Sequence, residues 1–287
     1  MRRRTGPAGL IALLRSSHPE PVIAVTAVAS ALAASAGRSA PGVVATGTAV
    51  LAGQLSVGWC NDAVDADRDR RSGRRDKPIA RGEIGAATVR LAAVVALVAC
   101  VPLSLLSGWR AAVAHLVAVL LAWGYDLGLK STVVSVLPYA VAFGLLPAFV
   151  TLGLPGAPAP PWWATCAGAL LGAGAHFANV LPDLDDDVAT GVRGLPHRLG
   201  PSVSAAAAAG FLVLASAALV LGPGRGGTPG EPASAPVVAA AGLLVGGIVL
   251  AGFLLGRRPG SRAVFRAALV VAVLDVLLLL ARGSALG

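Results

Sequence analysis

Two short acidic segments stand out in a chain that carries few charges. Each follows an apolar run and repeats one pattern, an Asn followed by two Asp residues at intervals of four. The members are Asn61, Asp65 and Asp69 in the first segment and Asn179, Asp183 and Asp187 in the second. Residues four apart lie on one face of an α-helix, so each segment is predicted to present an amide and two carboxylates in a column. Asp62 adds a neighbouring carboxylate to the first column.

Paired carboxylate columns suit the binding of metal ions and phosphate. Mg²⁺ prefers oxygen ligands and commonly bridges one or two carboxylates to the phosphate groups of a substrate. Two columns that face each other can hold two or more Mg²⁺ ions with a diphosphate between them, and the metals then stabilise the charge on the leaving oxygens. A departing diphosphate leaves an allylic carbocation behind, which needs a dry apolar cavity and a nucleophile.

The apolar runs predict an integral membrane protein. The chain has 287 residues, of which 56% are hydrophobic and only 13% charged, whereas a soluble domain has roughly 25% charged residues. A spanning helix needs about 20 mainly apolar residues. Nine candidate spans lie near residues 21–37, 42–60, 86–107, 111–127, 132–153, 162–180, 202–222, 235–256 and 263–281. We therefore expect an all-α polytopic bundle over residues 21–282, preceded by a cytoplasmic N-terminal segment, residues 1–20.

The net charge of +9 does not indicate binding to nucleic acid, because the basic residues lie between apolar runs rather than across a surface. If the N-terminus is cytoplasmic, nearly all of the 23 Lys and Arg residues fall in cytoplasmic segments, as the positive-inside rule expects. The exceptions are Arg38, Arg110, Arg225 and Arg282. The same orientation brings both acidic segments to the cytoplasmic side. The chain is thus predicted to be a multi-pass protein of the cell membrane with cytoplasmic site loops.

These motifs resemble those of the UbiA superfamily of intramembrane prenyltransferases. Its first motif, Asn-Asp-x₂-Asp-x₃-Asp, is matched by Asn61, Asp62, Asp65 and Asp69. Its second, Asp-x₃-Asp, is matched by Asp183 and Asp187, with Asn179 ahead of it. The resemblance covers the whole chain and implies an all-α bundle of about nine helices around a central cavity. It also implies Mg²⁺ as cofactor, with ligands Asp62, Asp65, Asp69, Asp183 and Asp187, of which Asp65 and Asp183 are the expected catalytic carboxylates.

The resemblance further implies a prenyl diphosphate between the motifs and transfer of its prenyl group to an aromatic or other lipophilic acceptor. The residues expected to bind the diphosphate are Lys77, Lys130, Arg15, Asn61 and Asn179. Many family members carry Tyr-x₃-Lys after span four, whereas four residues separate Tyr125 from Lys130 here. Asp126 is expected to pair with Lys130. The sequence indicates no protein partner.

Two other functions use similar residues and stay open at the level of sequence. A membrane terpene cyclase would share the metal site but capture the carbocation within its own chain, and so release a terpene without any acceptor. A cation-coupled transporter would also use carboxylates, but transporter sites usually lie near the bilayer midplane on broken helices. His197, in the loop after the second motif, is expected to be either a solvated residue or a base toward the acceptor.

Overall fold

Every regular element in the described part of the chain is helical. The computed structural model describes residues 7–73, 77–222, 244–248, 252, 263–281 and 286. The α-helices are α1 (Pro7–Arg15), α2 (Pro19–Ser35), α3 (Ala40–Arg71), α4 (Ala86–Leu105), α5 (Trp109–Leu127), α6 (Val136–Thr151), α7 (Trp162–Val180), α8 (Leu184–Ala189), α9 (Leu195–Leu221) and α10 (Ala263–Ala281). Two 3₁₀ turns follow α5 and α7, namely η1 (Leu129–Ser131) and η2 (Leu181–Asp183). The all-α fold predicted from the sequence is confirmed.

Five helices are long and apolar enough to cross a membrane: α3, α4, α5, α7 continued through η2, and α9. Three shorter apolar helices are α2, α6 and residues 270–281 of α10. Eight of the nine expected spans therefore coincide with an apolar helix. The remaining one, residues 235–256, lies largely outside the described residues, so the count of nine stays a prediction.

Helix α3 is much longer than the span expected at 42–60. Its first turn contains Pro41, and the Ser39 hydroxyl caps it by accepting a hydrogen bond from the Gly42 N–H at 3.4 Å. The helix runs for 32 residues and ends at Arg71, two residues before Gly73, whose positive φ of 68° turns the chain away. At 1.5 Å per residue this is about 48 Å, against about 30 Å for the hydrocarbon core of a bilayer. The last turns of α3 therefore extend beyond the apolar layer.

Small residues bring the central helices close together. A Cβ added at Gly172 of α7 would overlap the carbonyl oxygen of Tyr139 on α6, and one added at Gly168 would overlap that of Phe143. Such close approach lets membrane helices gain packing energy that lipid cannot supply. Large apolar side chains such as Leu91 and Val98 of α4, both 65% exposed, cover the outside. The bundle thus has tight interior contacts and an apolar outer surface.

The bundle has two distinct ends. At one end Arg38, before α3, donates hydrogen bonds to Thr46 at 2.7 Å and to Ser107, between α4 and α5, at 3.1 Å. Its guanidinium also lies against Gly153 after α6, where an added Cβ would be 2.6 Å from the guanidinium carbon. Three interhelical connections therefore meet at this residue. The opposite end, which we call the site end, carries both acidic motifs.

The N-terminal segment contains a helix that packs on the site end. Trp59 of α3 donates a hydrogen bond from its indole nitrogen to the Leu13 carbonyl at 2.8 Å. Ala12 of α1 is buried in one cluster with Trp59 and Ile79. At Gly58 the α3 backbone touches the Ser17 carbonyl so closely that no side chain would fit. The segment is thus joined to the bundle by packing. The boundaries at residues 20 and 282 stay predictions, and residue 282 lies outside the described residues.

Candidate active site

The first acidic motif lies on one uninterrupted helix, as its spacing predicted. Asn61, Asp62, Asp65 and Asp69 all belong to the last turns of α3. The three carboxylates are buried, with exposures of 1% for Asp62, 6% for Asp65 and 4% for Asp69. Buried carboxylates are costly unless cations or hydrogen bonds compensate them. Their partners therefore define the chemistry of the site.

Asp62 is compensated by the loop that follows α3. The Lys77 ammonium donates to Asp62 Oδ1 at 2.9 Å and lies 2.8 Å from His18 Nε2. His18 Nε2 is itself 3.8 Å from the same carboxylate oxygen. Asp62 Oδ2 is buried and has no hydrogen-bond partner among the described residues. The carboxylate of Asp62 therefore has one oxygen available for a further cation.

Two cationic side chains from different parts of the chain bind Asp65. The Lys130 ammonium, on η1, lies 2.6 Å from Oδ1 and 2.8 Å from Oδ2. Arg68, one turn along α3, donates to Oδ2 at 2.9 Å. This arrangement corrects the expectation that Lys130 pairs with Asp126. That pairing was a local inference along α5 and η1, whereas the observed partner of Lys130 is 65 residues away in sequence.

Asp126 instead holds the amide of Asn61. The Asn61 side-chain nitrogen donates to Asp126 Oδ1 at 2.9 Å and to Asp65 Oδ2 at 3.4 Å. Because two carboxylates face the amide nitrogen, the amide oxygen is left for a cation or a donor. Asp126 is 3% exposed, and its Oδ2 has no hydrogen-bond partner in the part of the chain that the structure describes. Sequence reasoning did not include Asp126 in the site, although an acid at the end of a span is a usual signal of function.

The second motif departs from the regular column that its spacing suggested. Asn179 lies on α7, Asp183 on η2 and Asp187 on α8. Pro182 has no N–H to donate to the preceding turn, and the helix tightens there into 3₁₀ geometry. Three residues at 120° rather than 100° rotate the following segment by roughly 60°. The members of the second motif therefore lie on three successive elements rather than on one uninterrupted helix.

The members of the second motif also differ in their surroundings. Asn179 and Asp183 are exposed, and neither makes a hydrogen bond or ion pair with another described residue. Asp187 is partly buried and lies 3.3 Å from His197 Nε2. The segment around His197, which was expected to be a loop, is helical instead, because it forms the start of α9, with a kink at Gly200. Within the described ranges, no lysine or arginine pairs with this motif.

Lys130 connects the two motifs. Its ammonium reaches Asp65 of the first motif, while its carbonyl oxygen lies against Gly194, seven residues after Asp187, so closely that a Cβ there would overlap it. Tyr125 lies within electrostatic range of both Asp65 and Asp187. The two acidic segments therefore converge at the site end, as the sequence predicted.

Aromatic side chains border this meeting point. The ring centroids of Tyr125 and Tyr139 are 5.2 Å apart, and that of His176 lies 5.7 Å from Tyr125 and 5.2 Å from Tyr139. The His176 ring is held by Ser135, whose hydroxyl is 3.1 Å from its Nε2. The cluster comes from α5, α6 and α7, and so its members are far apart in sequence. We call these three rings the aromatic wall.

The remaining predicted binding residue lies apart from the carboxylates. Arg15 pairs with Glu83 at 3.6 Å, and Arg81 pairs with the other oxygen of Glu83 at 2.9 Å. Lys77 and Lys130 contact the first motif directly. Of the three cations assigned to the diphosphate, two are therefore placed at the acidic site and Arg15 is beside it.

The donor set fits a hard divalent cation. No group of three His, Cys, Asp or Glu residues in the described part of the chain is drawn together tightly enough to hold a metal unaided. Lys77 and Lys130 form ion pairs with Asp62 and Asp65 and so act as the counter-ions of these carboxylates. One buried oxygen each of Asp62 and Asp126 has no partner within the described ranges, and such oxygen ligands are those that Mg²⁺ prefers.

Comparison with solved structures identifies the fold. A UbiA homologue from Archaeoglobus fulgidus bound to GPP and Mg²⁺ is 16% identical, with a TM-score of 0.68 over 94% of this chain and 98% of that one. The apo UbiA homologue from Aeropyrum pernix K1 is 20% identical, with a TM-score of 0.67 over 92% and 96%. A structure reported for digeranylgeranylglyceryl phosphate synthase in membranes is 16% identical, with a TM-score of 0.65 over 96% and 98%.

Membership of a family is shown by a match between this sequence and a family model, whereas the solved structures above are too distant in sequence to show more than the fold. No curated protein sequence matches the chain significantly. The model of the UbiA prenyltransferase family matches residues 22–270, a stretch that contains both acidic motifs and most of the bundle. The protein therefore belongs to the UbiA prenyltransferase family, and its helices are embedded in a membrane.

Proposed function

We propose that this protein is a Mg²⁺-dependent prenyltransferase that moves the prenyl group of a prenyl diphosphate onto an aromatic or other lipophilic acceptor. The observation that carries the proposal is the convergence of two acidic motifs at one end of an apolar bundle, with Lys130 between them. Family membership supports it, as does the presence of GPP and Mg²⁺ in the Archaeoglobus fulgidus relative.

The carboxylates are assigned to the metal and the lysines to the diphosphate. Mg²⁺ would be held by Asp62, Asp65, Asp69, Asp183 and Asp187, and when bound it neutralises the diphosphate and stabilises it as a leaving group. Lys77 and Lys130 are 13% and 11% exposed in their side chains, so their ammonium groups need little reorganisation to donate to phosphate oxygens. Asn61, Asn179 and Arg15 are assigned to the same anion.

We assign to the aromatic wall the role of stabilising the positive charge that develops on the reactive carbon of the prenyl group. The bond between C1 of the prenyl group and the diphosphate oxygen breaks, and its electron pair leaves with the diphosphate. The rings of Tyr125 and Tyr139 are assigned to the allylic cation, since a cation beside an aromatic ring gains about 0.5–2 kcal/mol. The acceptor then forms a bond to C1 and releases a proton. Aromatic rings packed around the reactive carbon would limit the access of water as a competing nucleophile.

The site is assigned to the cytoplasmic face of the cell membrane. Its end of the bundle carries Arg15, Arg68, Lys77 and Lys130. The opposite end has Arg38, which is tied to Thr46 and Ser107. This asymmetry is the one expected of cytoplasmic loops.

The decisive experiment is an assay in membranes with radiolabelled geranylgeranyl diphosphate, Mg²⁺ and a panel of acceptors. We expect label on one acceptor, diphosphate release in step with it, and loss of both with EDTA. Label in a free terpene without acceptor would establish a cyclase instead. Failure of the protein to bind prenyl diphosphate at any Mg²⁺ concentration would refute the proposal.

Matched variants localise the activity. Asp183→Asn should lower turnover by about 100-fold or more, a loss typical of removing one group that stabilises a transition state. Asp183 is exposed and has no partner among the described residues, so the fold should survive the change. Asp185→Asn, in the same exposed segment, is the control and should retain activity. Equal activity in the two variants would remove Asp183 from the site.

A further inference from the structure

His197 is enclosed by protein although it follows a polar loop. Its side chain is 2% exposed and lies in the first turn of α9. This excludes the expectation of a solvated loop histidine. Asp187 of the second motif, at 3.3 Å, is the acidic group beside it, and the Gly194 main chain lies on its other side.

The hydrogen bonds of His197 determine where its proton lies. The Gly194 N–H donates to His197 Nδ1 at 3.1 Å, and a backbone N–H can only donate, so Nδ1 presents its lone pair. A neutral imidazole with a lone pair on Nδ1 carries its proton on Nε2. That nitrogen is 3.3 Å from Asp187 Oδ2, which accepts the bond. Neither nitrogen is left to take a proton from an acceptor, so the role of base is excluded.

The main chain of Asp187 is fixed as firmly as its carboxylate. Its carbonyl oxygen accepts from the N–H of Val192 at 2.9 Å and of Thr190 at 3.1 Å. Gly191 has a φ of 90°, a conformation that few other residues adopt, and this turn lets both donors reach the carbonyl. Asp187 Oδ1 is the oxygen with no partner among the described residues. The arrangement thus leaves a single carboxylate oxygen open.

Gly194, which holds the His197 ring by a hydrogen bond, also contacts a residue that binds the first acidic motif. Gly194, which donates to the imidazole, packs directly on the Lys130 carbonyl, and the Leu195 N–H donates to Ser135 at 2.9 Å. Lys130 in turn reaches Asp65. A displacement of the imidazole would therefore change the distance between the carboxylates of the two motifs.

We propose that His197 is a positioning residue, which holds Asp187 by Oδ2 so that Oδ1 is presented to a divalent cation shared with the first motif. The inference rests on the proposed function, since it concerns the same metal-binding carboxylates. Hydrogen bonds to ligating carboxylates fix their orientation, and their loss typically lowers metal affinity by about 10- to 100-fold. His197→Leu keeps the bulk of the side chain but removes both bonds. His197→Gln can restore both, with its oxygen toward Gly194 and its amide N–H toward Asp187.

The test is binding of Mn²⁺, measured by electron paramagnetic resonance on purified protein in detergent with inorganic diphosphate. We expect H197L to bind Mn²⁺ about 10- to 100-fold more weakly than wild type and H197Q to bind within about threefold of it. The control is His115→Leu, because His115 is also buried and bonded, at 2.8 Å to Ser104, but it lies on α5 where that helix packs against α4, away from the acidic motifs. H115L should leave Mn²⁺ affinity unchanged.

The outcomes separate the two proposals. Wild-type protein that binds no Mn²⁺ with diphosphate would overturn the proposed function itself. Wild-type binding with equal affinity in H197L, or equal losses in H197L and H115L, would overturn the role of His197 alone. If H197L does not fold, as judged by its elution and thermal unfolding, H197Q decides, since a folded H197Q that binds more than about tenfold more weakly contradicts the hydrogen-bond argument.

Discussion

Replacement of Lys130 by Met should tighten Mg²⁺ binding and weaken diphosphate binding at the same time. The Lys130 ammonium lies 2.6 and 2.8 Å from the two oxygens of Asp65. The side chains of Lys130 and Asp65 are only 11% and 8% exposed. Both oxygens of a proposed metal ligand are therefore occupied by a cation that competes with the metal. In the proposed complex the same ammonium donates to the diphosphate instead.

The magnitude follows from the hydrogen bonds involved. A hydrogen bond to a charged group contributes about 1.5–3 kcal/mol, which corresponds to about 10- to 100-fold in a binding constant. Arg68 stays 2.9 Å from Asp65 Oδ2 in the variant, so the gain for the metal should be near the lower end, about tenfold. The diphosphate loses a charged donor outright, and its affinity at saturating Mg²⁺ should fall by about 10- to 100-fold.

The assay has two arms. Isothermal titration of Mg²⁺ into ligand-free protein measures the competition, and KM for geranylgeranyl diphosphate at saturating Mg²⁺ measures the loss of the donor. Arg70→Met is the control, because Arg70 pairs with Asp67, whose side chain is 85% exposed, and surface pairs contribute little. It should change either quantity by less than about twofold. Unchanged or weaker Mg²⁺ affinity in K130M would refute the reasoning.

Three further perturbations test other parts of the structure. Gly172→Ala should lower the free energy of unfolding by about 1–3 kcal/mol, since its Cβ would overlap the Tyr139 carbonyl. Gly210→Ala is the control and should not lower the free energy of unfolding, because the space around Gly210 is open. Thermal unfolding in detergent compares the two variants. Asp126→Ala removes the 2.9 Å partner of the Asn61 amide and should raise KM for the prenyl diphosphate about tenfold, and an unchanged KM would remove Asp126 from the site. A reporter fused to the N-terminus should be cytoplasmic, and a signal from the other side would reverse the proposed orientation.

The first motif was predictable because a single local rule governs it. Residues four apart share a face wherever a helix is uninterrupted, and α3 runs without a break from Ala40 to Arg71. In the second motif the same spacing crosses Pro182, whose missing N–H changes the local geometry to 3₁₀. The sequence contained that signal, because a proline inside a helical pattern disturbs the turn it belongs to.

The partners of the carboxylates were less predictable because they are tertiary contacts. Lys130 was assigned to Asp126, its neighbour on the chain, but binds Asp65, and Asp126 binds Asn61. Both observed pairs join residues 65 apart in sequence, and their geometry depends on how α3 and α5 pack. The positive-inside rule placed these residues at one end of the bundle, but no periodic pattern specifies which acid meets which base.

The contacts of Arg38 bear on how substrates can enter. This residue joins the connections before α3, between α4 and α5 and after α6, through Thr46, Ser107 and the close approach of Gly153. Helices fastened together at one end can separate only by tilting about that end, and a tilt produces its largest displacement at the far end. For a helix as long as α3, about 48 Å, a tilt of about 5° moves the other end by roughly 4 Å. Small rigid-body tilts of these helices would therefore widen the site end while the end held by Arg38 stays closed.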